Sequence, residues 1–358
     1  MSRSPPDHID QMKVIAADRQ FLLPPEHTLF NNCHASTLAR LPDGQLIAAF
    51  FAGLREGEGD VAIWLARTLD GVWQPPTRLI AEDGVAHWNP VLHLDGDALW
   101  LFYKVGPTVH DWTTRRVISH DRGQSWSAPQ PLVPGDTLPR GPVRSKLLVM
   151  SNGEWIAPAS IETEEFWDAF ADISPDHGAT WHKHDVPVEH RQRRDADQGD
   201  VWPGLAANAL WETNVERVFK WDGVIQPTLW ESAPGRIHML MRSTRGHIYR
   251  SDSADFGRTW SPAYSTDLPN NNSGIDLVRL DDGRLVLAFN PIGGNWGRRH
   301  PISLAWSDDN GTSWQDLLNM ETDEGEFSYP AIIAEGGALH VTYTWNRRNI
   351  VYRRITVD

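Results

Sequence analysis

The chain has almost no cysteine. Cys33 stands alone among 358 residues, which excludes an internal disulfide and fits a reducing compartment. It also lacks any apolar run long enough to cross a membrane, and its start, Met1-Ser-Arg-Ser-Pro-Pro, has no apolar leader segment. The cytoplasm is therefore the expected location. Positive charge is in deficit: Lys and Arg total 33 against 47 Asp and Glu, a net charge of −14. That balance argues against nucleic acid or an anionic membrane as partner. Missing too are a Gly-rich phosphate loop, a Gly-x-Ser-x-Gly nucleophile elbow and a cysteine redox pair. His87 with His93, and His182 with His184, do not stand at a known metal-ligand spacing with carboxylates, so neither a metal nor a cofactor is expected. Apolar residues at helical spacing are scarce, which excludes a helical solenoid.

What the chain has is tryptophan, 18 of them, and repetition. The pattern Ser-x-Asp-x-Gly-x-x-Trp occurs four times. The copies are Ser119-Asp121-Gly123-Trp126, Ser174-Asp176-Gly178-Trp181, Ser253-Asp255-Gly257-Trp260 and Ser307-Asp309-Gly311-Trp314. A shortened copy, Thr68-Asp70-Gly71-Trp73, precedes them. Each element has a job in a tight turn between strands. The Asp accepts hydrogen bonds from its own turn, the Gly takes a positive φ, and the Trp closes a small core. Within each half of the chain the tryptophans recur about every 54 residues, the regime of a propeller with one four-stranded sheet per blade. Short strands lie between the turns, among them Leu46–Phe51, Leu99–Tyr103, Ile237–Met241, Leu285–Phe289 and Leu339–Tyr343.

Laid end to end, the segments predict an all-β, six-bladed β-propeller filling residues 1–358 as one domain. Blades begin near His34, Asn89, Arg144, Gln226, Ser273 and Ser328. The sixth runs out of chain, and residues from about Gln11 to Phe21 are expected to supply its missing strand and close the ring. One interval, Trp181 to Trp260, is longer by about 25 residues. The excess, from about 182 to 224, reads as a long inter-blade insertion. Its mixed-charge run, His190 to Asp197, suits a lid or a contact between subunits, which leaves a homo-oligomer open.

The repeated turns resemble the Asp boxes of the sialidase (neuraminidase) superfamily, whose members are six-bladed propellers. The likeness runs from about residue 25 to the end, and it specifies the scaffold rather than the activity. It implies three arginines holding a substrate carboxylate, a Tyr nucleophile activated by a Glu, and an Asp acid. Carried over residue by residue, the second Arg falls on Arg242 in Met241-Arg242-Ser243 and the third on Arg299. The first falls on His34, in Cys33-His34-Ala35-Ser36. The Glu falls on Gln226 and the Tyr on Phe327, with Tyr329 two residues along. The acid-bearing loop matches Arg55-Glu56-Gly57-Glu58-Gly59-Asp60.

Three of these departures touch the chemistry. A Gln cannot deprotonate a Tyr, a Phe cannot attack a sugar, and a His is a poor bidentate clamp for a carboxylate. The retained Arg242 and Arg299 still point to an acidic substrate, and a uronate offers β-elimination. Its C5 proton becomes removable once cations neutralise the carboxylate, and a neutral His can take it. The pattern is similar to sialidase-like propellers with a catalytic His, namely uronate polysaccharide lyases and α-L-rhamnosidases acting on rhamnosyl-glucuronate. The expected site thus has His34 as base, Arg242 and Arg299 on the carboxylate, and Tyr329 as acid, on an acidic oligosaccharide, for β-elimination or exo-glycoside cleavage.

Further residues carry two readings each. Glu56, Glu58 and Asp60 serve as acid or hydroxyl ligand, or form a solvated turn. Asn89, Arg144 and Lys146 open blades two and three and are expected to face the axis. Glu162 meets the arginines or pairs with a neighbour. Asn270 to Asn272 bind hydroxyls or make a polar turn, and His34 itself is either catalytic or a buried structural histidine. Two other functions stay open: a sialidase-like glycoside hydrolase with Glu56 or Asp60 as acid, and a non-catalytic glycan-binding propeller.

Overall fold

The computed structural model describes residues 11–191, 201–207 and 209–358. Five hydrogen-bonded sheets carry the architecture. The first holds Asn32–Arg40, Leu46–Gly53 and Ala62–Leu69, whose last strand pairs with both Val72–Trp73 and Thr77–Ile80. The second runs His87–Asp95, Ala98–Val105, Thr113–Ser119 and Gln130–Pro131. The third has eight strands, four between Leu148 and Asp185 and four between Asp222 and Pro269. The fourth lies between Asp276 and Glu321, and the fifth holds Phe327–Glu335, Ala338–Trp345 and Asn349–Val357. Val14–Phe21 completes the fifth sheet, pairing antiparallel with the last strand so that Phe21 faces Val351. This is the strand expected from the N-terminal residues.

The arrangement is that of a β-propeller, but the expected six separate four-stranded blades in a closed ring are corrected. Among the described residues only three sheets have four strands, and no strand ladder runs from sheet to sheet around a ring. The third sheet is double because Phe166 and Trp167 pair in parallel with Asp222 and Gly223. Gly223 makes that approach possible: at φ 139° a Cβ there would lie 2.0 Å from the Trp167 carbonyl oxygen.

Side chains, not ladders, hold neighbouring sheets together. Apolar clusters bridge the second and third sheets (Val91 and Phe102 with Trp155 and Trp181) and the third and fourth (Trp230 and Leu240 with Leu285 and Phe289). Others bridge the fourth and fifth (Val286 and Leu304 with Ile332 and Val341) and the fifth and first (Ile350 and Tyr352 with Phe50 and Ala66). Each fully buried Leu, Val or Phe in them contributes about 1.5–3 kcal/mol.

The repeated turns add a polar staple at the rim. In each full copy the Ser hydroxyl donates to the Asp and accepts from the Gly amide, for example Ser253 Oγ to Asp255 Oδ1 at 2.8 Å and Gly257 N to Ser253 Oγ at 2.9 Å. Three Trp rings fold back, donating from Nε1 to the carbonyls of Gly178, Gly257 and Gly311. An arginine of a neighbouring strand run then donates to a turn carbonyl: Arg67 to Gly123, Arg116 to Gly178 and Arg250 to Gly311.

The long insertion is shorter than expected at its start. His182–Asp185 is a strand paired with Phe170–Ile173, and a further strand begins at Asp222. Two four-residue helices, Pro203–Ala206 and Val215–Val218, lie between. Of the mixed-charge run His190 to Asp197, everything beyond Arg191 falls outside the described residues. No helix among the described residues is long and apolar enough to cross a membrane.

Candidate functional site

Four strands that open a sheet or a half-sheet share one irregularity. Their pairing slips between His34 and Thr37, Trp88 and Val91, Ile225 and Thr228, and Ser328 and Ala331. At each slip one non-glycine residue takes a positive φ: Ala35 at 54°, Asn89 at 39°, Gln226 at 51° and Tyr329 at 53°. Such a bulge re-aims one side chain out of the alternating pattern. Held by a bulky residue, this backbone costs on the order of 1–3 kcal/mol, a cost that recurs at functional sites. Three of the four residues, Asn89, Gln226 and Tyr329, line one cavity.

Glu56, Glu162, Arg242 and an unusual number of indoles (Trp88, Trp112, Trp167, Trp211, Trp221 and Trp296) also line that cavity. Tyr329 is its hub. Arg242 donates from Nη1 to the Tyr329 hydroxyl at 2.5 Å and to Gln226 Oε1 at 3.1 Å. Its Nε donates to Asn272 Oδ1 at 2.7 Å, and Asn272 is held in turn by Asn295. The guanidinium is also packed over the rings of Trp167 and Trp296. A cation fixed this way, in a wall that excludes water, is preorganised for an anion.

Glu162 faces the same space in a different state. It is buried, and its Oε1 makes no hydrogen bond within the protein. Burial pushes its carboxyl up to about 7 and neighbouring Glu56 adds to the shift, while Arg242 and Lys104 pull the other way. Lys104, wholly buried, is itself pushed down to about 7 by burial. Glu56, by contrast, is neutralised by a direct ion pair with Arg347.

The expected base, His34, does not line this cavity. Its ring lies behind Tyr329, with centroids 4.0 Å apart, and its Nδ1 bonds Thr344 Oγ1 at 2.9 Å. Burial and then the fields of Arg347, Arg299, Arg144 and Arg242 hold its pKa well below the usual range, so it is neutral. At the bulge beside it the positive φ falls on the next residue, Ala35, and neither residue is in the cavity lining. Tyr329, whose facing the sequence left open, takes the inward position.

Arg299 and Arg242 both approach Tyr329, with guanidinium carbons 5.8 and 5.6 Å from its ring centroid. Arg299 is nevertheless engaged elsewhere: it pairs with Glu326 at 2.8 Å and lies 3.9 Å from the Trp202 ring. Arg144 and Lys146 are corrected from substrate ligands to braces across the axis. Arg144 donates to the carbonyls of Ile275 and Pro330, and Lys146 pairs with Asp276 at 3.0 Å. Asp60 is corrected as well. It lies in a separate groove with Leu29, Leu54 and Trp64, where its carboxylate accepts from the Leu54 amide. Glu58 pairs with Arg55 on the exposed side of the loop.

Two participants gave no signal in the sequence. Arg347 sits at a hairpin tip, Asn346-Arg347, where both residues have positive φ, and such tips are ordinarily solvated. Here it is buried, bridging Glu56 and Glu326. Trp202 belongs to the insertion and is sandwiched by Arg299 and Arg347.

Residues 44–341 match the BNR repeat-like domain family. The chain belongs to this family. Among solved structures it is similar to the "Hadza microbial sialidase Hz136", at 18% identity and TM-score 0.69 over 91% of this chain and 66% of that one. It is similar also to Trypanosoma rangeli sialidase with the inhibitor DANA, at 16% identity and TM-score 0.69 over 95% of this chain and 60% of that one. A Dyadobacter fermentans protein of unknown function matches over its full length, at 14% identity and TM-score 0.70. At these identities the likeness is one of fold, and this chain spans less than two thirds of either sialidase. No curated protein matches the sequence. The BNR-type scaffold and the sialidase-like fold agree with the superfamily that the Asp boxes suggest.

Proposed function

We propose that the protein cleaves a glycosidic bond beside an acidic sugar, with a uronate-containing oligosaccharide as substrate and β-elimination as the reaction. The observation that carries this is the meeting of Arg242, Tyr329 and the unpaired carboxyl of Glu162 in one indole-walled cavity. Arg242 receives the carboxylate and makes the C5 proton acidic. Tyr329 acts as the phenolate, its oxygen held by the Arg242 guanidinium, and takes that proton to become the phenol. The C5–H electrons form the C4=C5 double bond, the C4–O bond breaks, and Glu162 protonates the departing oxygen. A carboxyl near 7 suits that donor at neutral pH. His34, neutral and packed on the Tyr329 ring, keeps that ring in place without adding positive charge.

A second reading, hydrolysis with Tyr329 as nucleophile and Glu162 as acid, draws support from the sialidase-like fold. Gln226 does not separate the two readings, since both need Tyr329 as the phenolate and a Gln cannot accept its proton in either. The two part in one assay. Elimination leaves an unsaturated uronate absorbing near 235 nm, and hydrolysis leaves only a new reducing end. We expect absorbance to rise with wild-type protein on glucuronate- or galacturonate-containing oligosaccharides. Tyr329→Phe and Glu162→Gln should each lower kcat by about 10²–10⁴-fold. Full activity in both variants would sink the assignment. The single-domain propeller and a cytoplasmic setting complete the reading.

A further inference from the structure

The cavity has a roof, and the roof comes from the insertion. Trp211 and Trp221 stack with centroids 5.7 Å apart and planes 11° apart, and Leu210 lies beside them. Trp211 is held edge-on by His110, at 5.2 Å. The segment is tied down at several points: Trp202 N donates to the Trp296 carbonyl at 2.6 Å, Trp296 Nε1 donates to the Val218 carbonyl at 3.2 Å, and Arg347 donates to the Ala209 carbonyl at 3.2 Å. Below the roof lie Arg242 and Tyr329, and the atom-free space bounded by these walls, part of it open to solvent, is about 370 Å³.

That enclosure sets six indoles beside six polar side chains. Apart from Arg242, Tyr329 and Glu162, its polar lining is Asn89, Gln226 and the already paired Glu56. Two buried lining donors, Trp112 Nε1 and Trp167 Nε1, make no hydrogen bond within the protein. An extended, hydroxyl-rich chain would leave many of its groups unpaired here, which is costly. One ring with an apolar C–H face fits better. Its carboxylate would meet Arg242, two ring oxygens the free indole N–H groups, and its C–H face an indole plane.

We propose that Trp211, backed by Trp221, is the stacking platform that makes the site specific for a single terminal hexuronate ring. The idea rests on the acidic-sugar reading above and adds the residue that sets ring recognition. Trp211 is half-buried and packs on the margin of two core clusters rather than inside them. Titration of D-glucuronate and D-galacturonate, followed by tryptophan fluorescence and calorimetry, tests it without turnover. Wild-type protein should bind at least one of them with a fluorescence change. Trp211→Ala should weaken that binding about 10-fold and Trp211→Phe much less, with thermal unfolding nearly unchanged in the Phe variant. On oligosaccharides the Ala variant should raise KM with kcat within a few-fold of wild type. Equal binding by wild type and Trp211→Ala overturns the platform, as does no binding of either uronate to wild type. Uronate binding that depends on Trp211, without turnover on any oligosaccharide, upholds the platform and removes the chemistry instead.

Discussion

The rim turns and the axial bulges are both repeated, and they repeat different things. At the rim the side chains recur with the backbone: Ser, Asp, Gly and Trp return in every full copy, and the Ser, Asp and Gly make the same bonds. At the axis only the backbone recurs. The same slip and the same positive φ present Ala35, Asn89, Gln226 and Tyr329. The difference separates two jobs. The rim needs one chemistry many times, to close turns and staple neighbours. The axis needs one geometry many times, to aim unlike groups at a common point.

The largest test of that division is Glu162, which should trade stability against activity. Its folded-state pKa of about 7 lies above an unfolded value of about 4.3. The folded state therefore holds the proton more tightly, and stability falls as pH rises through the window between those values. Glu162→Gln removes that loss. We expect it to be more stable than wild type at pH 8, by on the order of 1–3 kcal/mol, and nearly equal at pH 4. Activity should move the opposite way, by at least about 10²-fold at every pH. In wild type, turnover should decline above about pH 7 as the acid deprotonates. Urea unfolding at the two pH values and a pH–rate profile check all three. A variant destabilised at pH 8 would place Glu162 among the structural carboxylates.

A smaller effect is expected at Gly57, which lies in the loop carrying Glu56. Its φ is +87°, and a Cβ there would stand 2.8 Å from Trp211 Cβ and 3.2 Å from the Trp88 ring. Gly57→Ala should push the Trp211 roof outward and disturb the Glu56–Arg347 pair. Uronate affinity should drop by roughly 10-fold, with a Tm loss of a few degrees. Unchanged affinity would show that the loop and the roof do not depend on each other.

The rim was legible in the sequence because its residues do their work locally. Asp, Gly and Trp within eight positions determine a turn whatever lies beyond it, and the strand between turns follows from alternation. The N-terminal strand was legible for a related reason, since a sheet short of one strand needs a partner. The fusion of two strand runs at Trp167 and Gly223 was not, because it depends on contacts distant in the chain. The site was half legible. Arg242, Gln226, Asn89 and Glu162 follow from their places at strand ends. His34 was read as facing the substrate but packs behind Tyr329 beside a bulge, and period-two alternation carries no sign of that bulge. Arg347 was invisible, being a charged residue at a hairpin tip, and the roof tryptophans lie in a segment with no repeat to frame them.

The smallest expected effect falls on the rim. Asp255 accepts from the amides of Arg258 and Thr259 and from the hydroxyls of Ser253 and Thr259, at 2.6–3.1 Å. Asp255→Ala leaves those four donors to water, which reaches this exposed turn readily, so the loss is a matter of turn geometry more than of unpaired groups. Tm should fall by about 1–4 °C while kcat and KM stay at wild-type values. Asp255→Asn, which keeps an acceptor at Oδ1 for the two amides, should recover part of the difference. The contrast with Tyr329 is the point. Tyr329→Phe keeps the bulge and its packing, so it should leave Tm nearly untouched while removing activity. If a rim substitution slowed catalysis without lowering Tm, the turns would be coupled to the axis, and the division between scaffold and site would fail.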